Sequence, residues 1–303
     1  MLHDSGFRSA ILLGRAMLLA SCTGPISSIG GRGHVERILF TSDRDGDPEI
    51  YTMDPDSGSI TRLTTDAAFD AGPRWSPDGS RIAFSSDRDG DAEIYVMAGD
   101  GEDVVRLTDN EFYDAMADWS PDGSRIVYDA LGPTGELQVF VIASDGSSPP
   151  VQLTDRGPNG HSAWSSDGRT IAFQSLRDGN REIYLMAPDG TAQTRLTTEP
   201  ADDLLPAWSP DGSELAFVSA RDGDWEIYVM DADGSDARRL TDDPAEDQSP
   251  IWSPDGSEIM FTRGRPATAE VYVMAADGSH ERSLTRNAVA DWAGDWSSVP
   301  TAP

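Results

Sequence analysis

From residue 38 onward, apolar runs of three to five residues alternate with short polar segments centred on Asp-Gly, and the alternation itself recurs. Trp75, Trp119, Trp164, Trp208, Trp252 and Trp296 follow one another at spacings of 44, 45, 44, 44 and 44. Each opens a version of WSPDGS: complete at 75, 119, 208 and 252, WSSDGR at 164 and WSS at 296. Three further apolar runs belong to each unit. The first is Ile38-Leu39-Phe40, with counterparts starting at Ile82, Ile126, Ile171, Leu215 and Ile259. The second covers 50–53, 94–97, 139–142, 183–186, 227–230 and 271–274. The third is RLT at 62, 106, 195 and 239, QLT at 152 and SLT at 283. Four short β runs per period, separated by Pro-Asp-Gly and Asp-Gly turns, predict a four-stranded antiparallel blade, and six copies predict an all-β, six-bladed β-propeller. The runs are apolar almost throughout because a blade between two neighbours buries both its faces.

The phase of the repeat predicts how the ring closes. The chain enters on the second strand of a unit and leaves on a lone tryptophan strand at 291–297, so that strand should join the first blade beside Ile38-Leu39-Phe40. Such closure hides the sheet edges that otherwise invite association, and a monomer is expected. The propeller is expected to occupy 37–298, with 299–303 as a tail.

The combination WSPDGS, IAF, RDG, EIYVMDADG and RLT resembles the repeat of the TolB-type propellers, the WD40-like PD40 family, over residues 37–297. The Gly-His and Trp-Asp marks of true WD40 repeats are missing. The resemblance implies the six-bladed fold and, with it, a binding role in the bacterial cell envelope. The family's namesake also carries an N-terminal α/β domain, where this chain has a stretch of 14 residues, so the resemblance bears on the fold more than on that particular role.

Ahead of the repeat, residues 1–22 contain Arg8, the apolar runs AILL and AMLLA, and LLASC ending at Cys22, the sole cysteine. This resembles a bacterial lipoprotein leader, cut before a cysteine that then receives lipid. It predicts export to the periplasm or cell surface with Cys22 as anchor, although Arg15 interrupts the apolar core. Residues 23–36, TGPISSIGGRGHVE, are Gly- and Ser-rich and read as a flexible tether. No later segment approaches the ~20 apolar residues of a membrane-spanning helix.

Charge narrows the partners. The chain holds 53 acidic residues against 23 basic ones, all arginine, for a net charge of −30. So acidic a surface repels phosphate backbones and anionic headgroups, which sets nucleic acid aside and leaves a basic protein or peptide, or a cation.

Within a repeat protein, features present in every unit build the unit, and departures at loops are candidates for function. Strand direction places the SPDGS and DADGS turns on one face, nearly uniform across blades. The DRDGD loops and inter-blade connections fall on the other, more varied face. The departures there are Phe69, Phe112, Tyr113, Met116, His161, Leu204, Leu205, Trp225 and Trp292, an apolar and aromatic group inside an acidic rim that suits partner binding.

Two acidic patterns invite a cation. Asp43, Asp45, Asp47 and Glu49, and likewise Asp87, Asp89, Asp91 and Glu93, put carboxylates at alternate positions, as Ca²⁺ would need for its roughly six to eight oxygens. The glycine falls fourth, unlike an EF-hand, and a hairpin corner using Asp-Gly accounts for the same residues. Five residues before each tryptophan stand Asp70, Asp114, Asn159, Asp203, Asp247 and Asp291. If the tryptophan strand is innermost, these ring the channel mouth; the alternative is a cap on each inter-blade turn. The Glu before each IYVM run recurs too regularly for catalysis and reads as a hydrogen bond within the blade.

No nucleophile elbow, His-Glu-x-x-His helix, phosphate loop or dinucleotide fingerprint appears, so the expectation is a non-catalytic scaffold. The alternative is a Ca²⁺-dependent carbohydrate-binding module, or a lyase or hydrolase working with channel carboxylates.

Overall fold

The computed structural model describes residues 34–265, 267–287 and 289–301. The leader, Cys22 and residues 23–33 of the tether lie outside them. Six four-stranded antiparallel sheets form the described chain, each strand beside its sequence neighbour except where the last strand joins the first. Blade 1 combines the last strand, Asp291–Pro300, with His34–Ser42, Glu49–Met53 and Ile60–Arg62. Blades 2 to 6 begin with the inner strands Asp70–Trp75, Asp114–Trp119, Asn159–Trp164, Asp203–Trp208 and Asp247–Trp252.

Closure is as expected and longer. The pairing runs from His34 opposite Pro300 to Ser42 opposite Asp291. The first strand therefore starts three residues inside the segment read as tether, and the last runs past 298, because the two extensions supply each other's backbone partners.

Blades adhere through their faces. Phe40, Phe84, Phe173, Phe217 and Phe261 are fully buried and pack on a tyrosine of the next strand at 5.6–5.8 Å between ring centroids. Leu39 and Ile50 of blade 1 join Trp75, Ile82, Phe84 and Tyr95 of blade 2 in one cluster, and Ile38 and Phe40 join Met260, Val271 and Val273 of blade 6. Burial on both sides is the physical reason for the unbroken apolar runs, and truncating one such phenylalanine to alanine costs about 3–5 kcal/mol.

The SPDG turns repay their uniformity with a fixed hydrogen-bond set. Ser76 Oγ donates to Asp78 Oδ1 at 2.6 Å, the Ser80 N–H donates to the same oxygen, and Gly79 takes φ +66°. Carboxylates at these turns, Asp78, Asp122, Asp167, Asp211 and Asp255, all titrate below the usual range; at Asp122 and Asp211 these donors hold the pKa at about 2.

One irregularity shapes the axis. In blade 2, Ala71 pairs with Ser85 and Arg74 with Ala83, so two residues oppose one: a β-bulge. The same shift occurs in blades 3 to 6. The third residue of each of these inner strands takes a left-handed backbone: Gly72, Met116, His161, Leu205 and Ser249, with φ between 49° and 62°.

Candidate functional site

The inner strands enclose an axial cavity of about 780 Å³. All five bulge residues line it, and so do Phe69, Tyr113 and Trp292. A non-glycine residue in the left-handed region costs on the order of 1 kcal/mol or more, and here the bulge uses it to turn Met116, His161 and Leu205 onto the channel wall.

Six of the nine expected departures thus meet in one cavity: Phe69, Tyr113, Met116, His161, Leu205 and Trp292. Phe112 is exposed beside it, outside the lining. Leu204 and Trp225 are corrections to the expected patch. Both are partly buried against the apolar cluster of blades 5 and 6 and line no part of the cavity.

A charged element of the wall escaped the sequence reading. The residue before each tryptophan is, in ring order from blade 1, Asp295, Arg74, Asp118, Ala163, Ala207 and Ile251, and all six line the cavity. At this one level of the wall, three positions are therefore charged and three apolar. The Asp118 Oδ2 accepts the Trp164 N–H at 2.8 Å, and the Asp295 Oδ2 accepts the Trp75 N–H at 2.7 Å. Burial pushes Asp118 up to about 6 against the pull of Arg74, and burial likewise raises Asp295. Burial lowers His161 to about 4, so its ring is neutral at pH 7. Its backbone N–H donates at 2.7 Å to Asp129, a buried carboxyl raised by burial to about 8. The signal for these residues was available as a repeat position that varies where its neighbours do not.

The expected channel ring lies elsewhere. Asp70, Asp114, Asn159, Asp203, Asp247 and Asp291 are at most 2% exposed and line no part of the cavity. They point into their blades, where five of them meet an arginine: Arg88, Arg177, Arg221, Arg263 or Arg44. They are not rim carboxylates, but three of them tie down the inter-blade connection: Asn159 Nδ2 donates to the Arg156 and Gly157 carbonyls at 3.2 and 2.6 Å, and Asp114 and Asp291 accept from Asn110 and Asn287. The remaining one, Asp114 of blade 3, meets no arginine among the described residues.

The DRDG loops are built as hairpin corners, with Gly46 and Gly90 at φ +115° and +122°. Their carboxylates are engaged locally. Asp43 accepts the Ala290 N–H, Asp87 the Phe69 N–H, and Asp45 and Asp89 the hydroxyls of Tyr51 and Tyr95. Glu49 and Glu93 are fully buried on Arg62 and Arg106, and Asp47 and Asp91 are half-buried at the end of each corner. Among the described residues, no three His, Cys, Asp or Glu side chains are grouped to hold a metal ion. The recurrent Glu is the expected blade hydrogen bond: the following threonine donates to it in blades 2, 4, 5 and 6 at 2.5–2.6 Å.

The family model of the TolB beta propeller domain matches residues 32–148 and 202–300. Among solved structures, a putative TolB from Agrobacterium tumefaciens is 22% identical with a TM-score of 0.71, over 89% of this chain and 98% of that one. TolB from Acinetobacter baumannii is 19% identical with a TM-score of 0.75, over 86% of this chain and 66% of its own. An oligogalacturonate lyase in complex with manganese is 20% identical with a TM-score of 0.60, over 82% and 74%. At these identities the likeness is one of fold, shared by TolB proteins and a lyase alike. No curated protein matches the chain.

Proposed function

The chain belongs to the TolB beta-propeller family, and on that premise we propose that it is a non-catalytic, exported scaffold that binds a protein or peptide across its loop-rich face and channel mouth. The location proposed is the cell envelope, periplasmic or at the cell surface, with lipid on Cys22 as the anchor. No helix among the described residues is long and apolar enough to cross a membrane. The observation that carries the reading is the cavity itself: side chains from all six blades converge there, several held by strained bulges. Its mixed wall suits a segment with one apolar side and one polar group, and aromatic residues such as Tyr113 and Trp292 are the side chains that anchor interfaces.

The test is affinity capture from solubilised envelopes with the intact chain and with Tyr113→Ala and Trp292→Ala. Each variant should lose at least one captured partner, with affinity reduced about 10-fold or more. An unchanged set of partners in both variants would overturn the assignment of this face.

A further inference from the structure

Five blades hold an arginine in one and the same place. The guanidinium carbons of Arg44, Arg88, Arg177, Arg221 and Arg263 stand 4.7–5.4 Å from the centroids of the paired rings on the second and third strands. Each also reaches the side chain that opens the inner strand, Asp291, Asp70, Asn159, Asp203 or Asp247, at 2.7–3.1 Å. Arg263 sits two residues earlier in its hairpin than Arg88 does, in the register position of Ser86, yet its guanidinium arrives at the equivalent site.

Blade 3 keeps two parts of this arrangement and lacks the third. Its rings, Tyr128 and Phe140, are 5.9 Å apart, and Asp114 opens its inner strand. Where the arginine would be, the strand continues through Leu131 to Gly132. Asp114 is fully buried; its Oδ2 accepts Asn110 Nδ2 at 2.7 Å, and its Oδ1 has no partner among the described residues. Blade 1 shows the complete version. There Asn287 Nδ2 donates to Asp291 Oδ2, and Arg44 occupies Oδ1. What Asp114 lacks is a guanidinium. A missing arginine does not by itself leave such a gap: Glu270 of blade 6 has Ser283 where other blades have arginine, yet both its oxygens are taken by Thr285 and Asn287.

We propose that blade 3 takes its guanidinium in trans, from an arginine side chain of the bound protein or peptide, seated between the Asp114 carboxylate and the rings of Tyr128 and Phe140. The inference rests on the partner-binding reading and gives one contact its chemistry. The arginines in the equivalent sites of blades 1, 2, 5 and 6 are 10–22% exposed, so in those blades the site reaches solvent on the loop-rich face. Phe112 and Tyr113, immediately before Asp114, are 48% and 49% exposed at its edge. The chain is poorly placed to fill the site itself, since a Cβ on Gly132 would lie 2.9 Å from Gln138 Cγ. Guanidinium is favoured over ammonium because a planar fork bonds a carboxylate while stacking on a ring. The chain's charge of −30 draws a basic partner toward it.

The probe is the peptide acetyl-Gly-Arg-Gly-amide, followed by chemical-shift titration of the ¹⁵N-labelled chain, with the isosteric, uncharged citrulline peptide beside it. The arginine peptide should bind at least about 10-fold more tightly than the citrulline one, a difference of ~1.4 kcal/mol. Asp114→Asn should erase that preference, and Asn159 shows that an amide is accommodated at this position. Asp70→Asn, whose site Arg88 already fills, should retain it. Equal binding of the two peptides, or an undiminished preference in Asp114→Asn, would overturn the proposal. Partner capture separates this failure from that of the wider reading. Full capture by Asp114→Asn with loss by Tyr113→Ala removes the guanidinium site alone, whereas full capture by both removes the binding face as well.

Discussion

At the scale of single residues, the propeller departs from its own pattern where charge is buried. In the position held by Thr41, Ser85 and Thr262 in other blades, blade 3 carries Asp129, 1% exposed and with Oδ1 unpartnered. Burial lifts its pKa to about 8, far above an ordinary aspartate, so folding takes up a proton there. The sign follows from linkage: a carboxyl raised in the folded state contributes fully below its unfolded pKa, and that contribution is lost as pH climbs through the folded value. Stability should therefore fall from about pH 5 to pH 8, by up to ~1.4 kcal/mol per pH unit for one such group. Asp129→Ser, which installs the residue of blade 2, should flatten that slope by close to one proton in denaturant melts run across the range. An unaltered slope would show that Asp129 ionises freely. Residues of this kind were legible only in part. The exposed aromatics announce themselves as breaks in a repeat, and Arg74, Asp118 and Asp295 mark a repeat position that varies, but Asp129 sits inside a strand whose apolar run disguises it. The six inner-strand Asp and Asn residues misled for a geometric reason: adjacency in sequence to a channel strand does not fix the side to which a side chain points.

At the scale of elements, strands and turns were readable because Asp-Gly turns and apolar runs are local signals. The bulges were not, since glycine marks the left-handed site in blade 2 alone, and Met116, His161, Leu205 and Ser249 adopt it under tertiary constraint. This leads to a pair of opposed outcomes. Met116 is 42% exposed, so Met116→Gly gives up little packing and relieves backbone strain. Thermal unfolding should show stability unchanged or raised by about 0.5–1 kcal/mol, while partner capture weakens. A clear loss of stability would mean that the bulge carries no strain at Met116 and that the side chain is there for packing.

At the scale of the whole molecule, the ring is closed by a single strand pair whose members are separated by nearly the full chain. Nine paired positions join Asp291–Pro300 to His34–Ser42, and Trp296 Nε1 donates to Glu36 at 3.1 Å. Removing residues 291–303 would expose an edge of blade 1 and the cluster that Trp296 shares with blade 6. We expect the melting temperature followed by circular dichroism to drop by about 10 °C or more, with loss of a single cooperative transition. A sharp melt at the original temperature would show that the other blades hold the ring without its clasp. The phase of the repeat was enough to foresee this pairing, whereas its full length depended on residues at 34–36 and 298–300 that carry no repeat signal.

Were Cys22 lipidated as proposed, the same clasp would decide which way the propeller faces. His34 and Pro300 are paired at the end of blade 1 that carries the SPDG turns, and Val299 packs against Gly79 of one such turn. The chain therefore leaves the propeller from its uniform side. With lipid on Cys22, the 11 intervening residues reach at most ~40 Å. The bilayer would then lie beneath the turns, and the cavity mouth with its aromatic fringe would face outward, like a dish moored by its base.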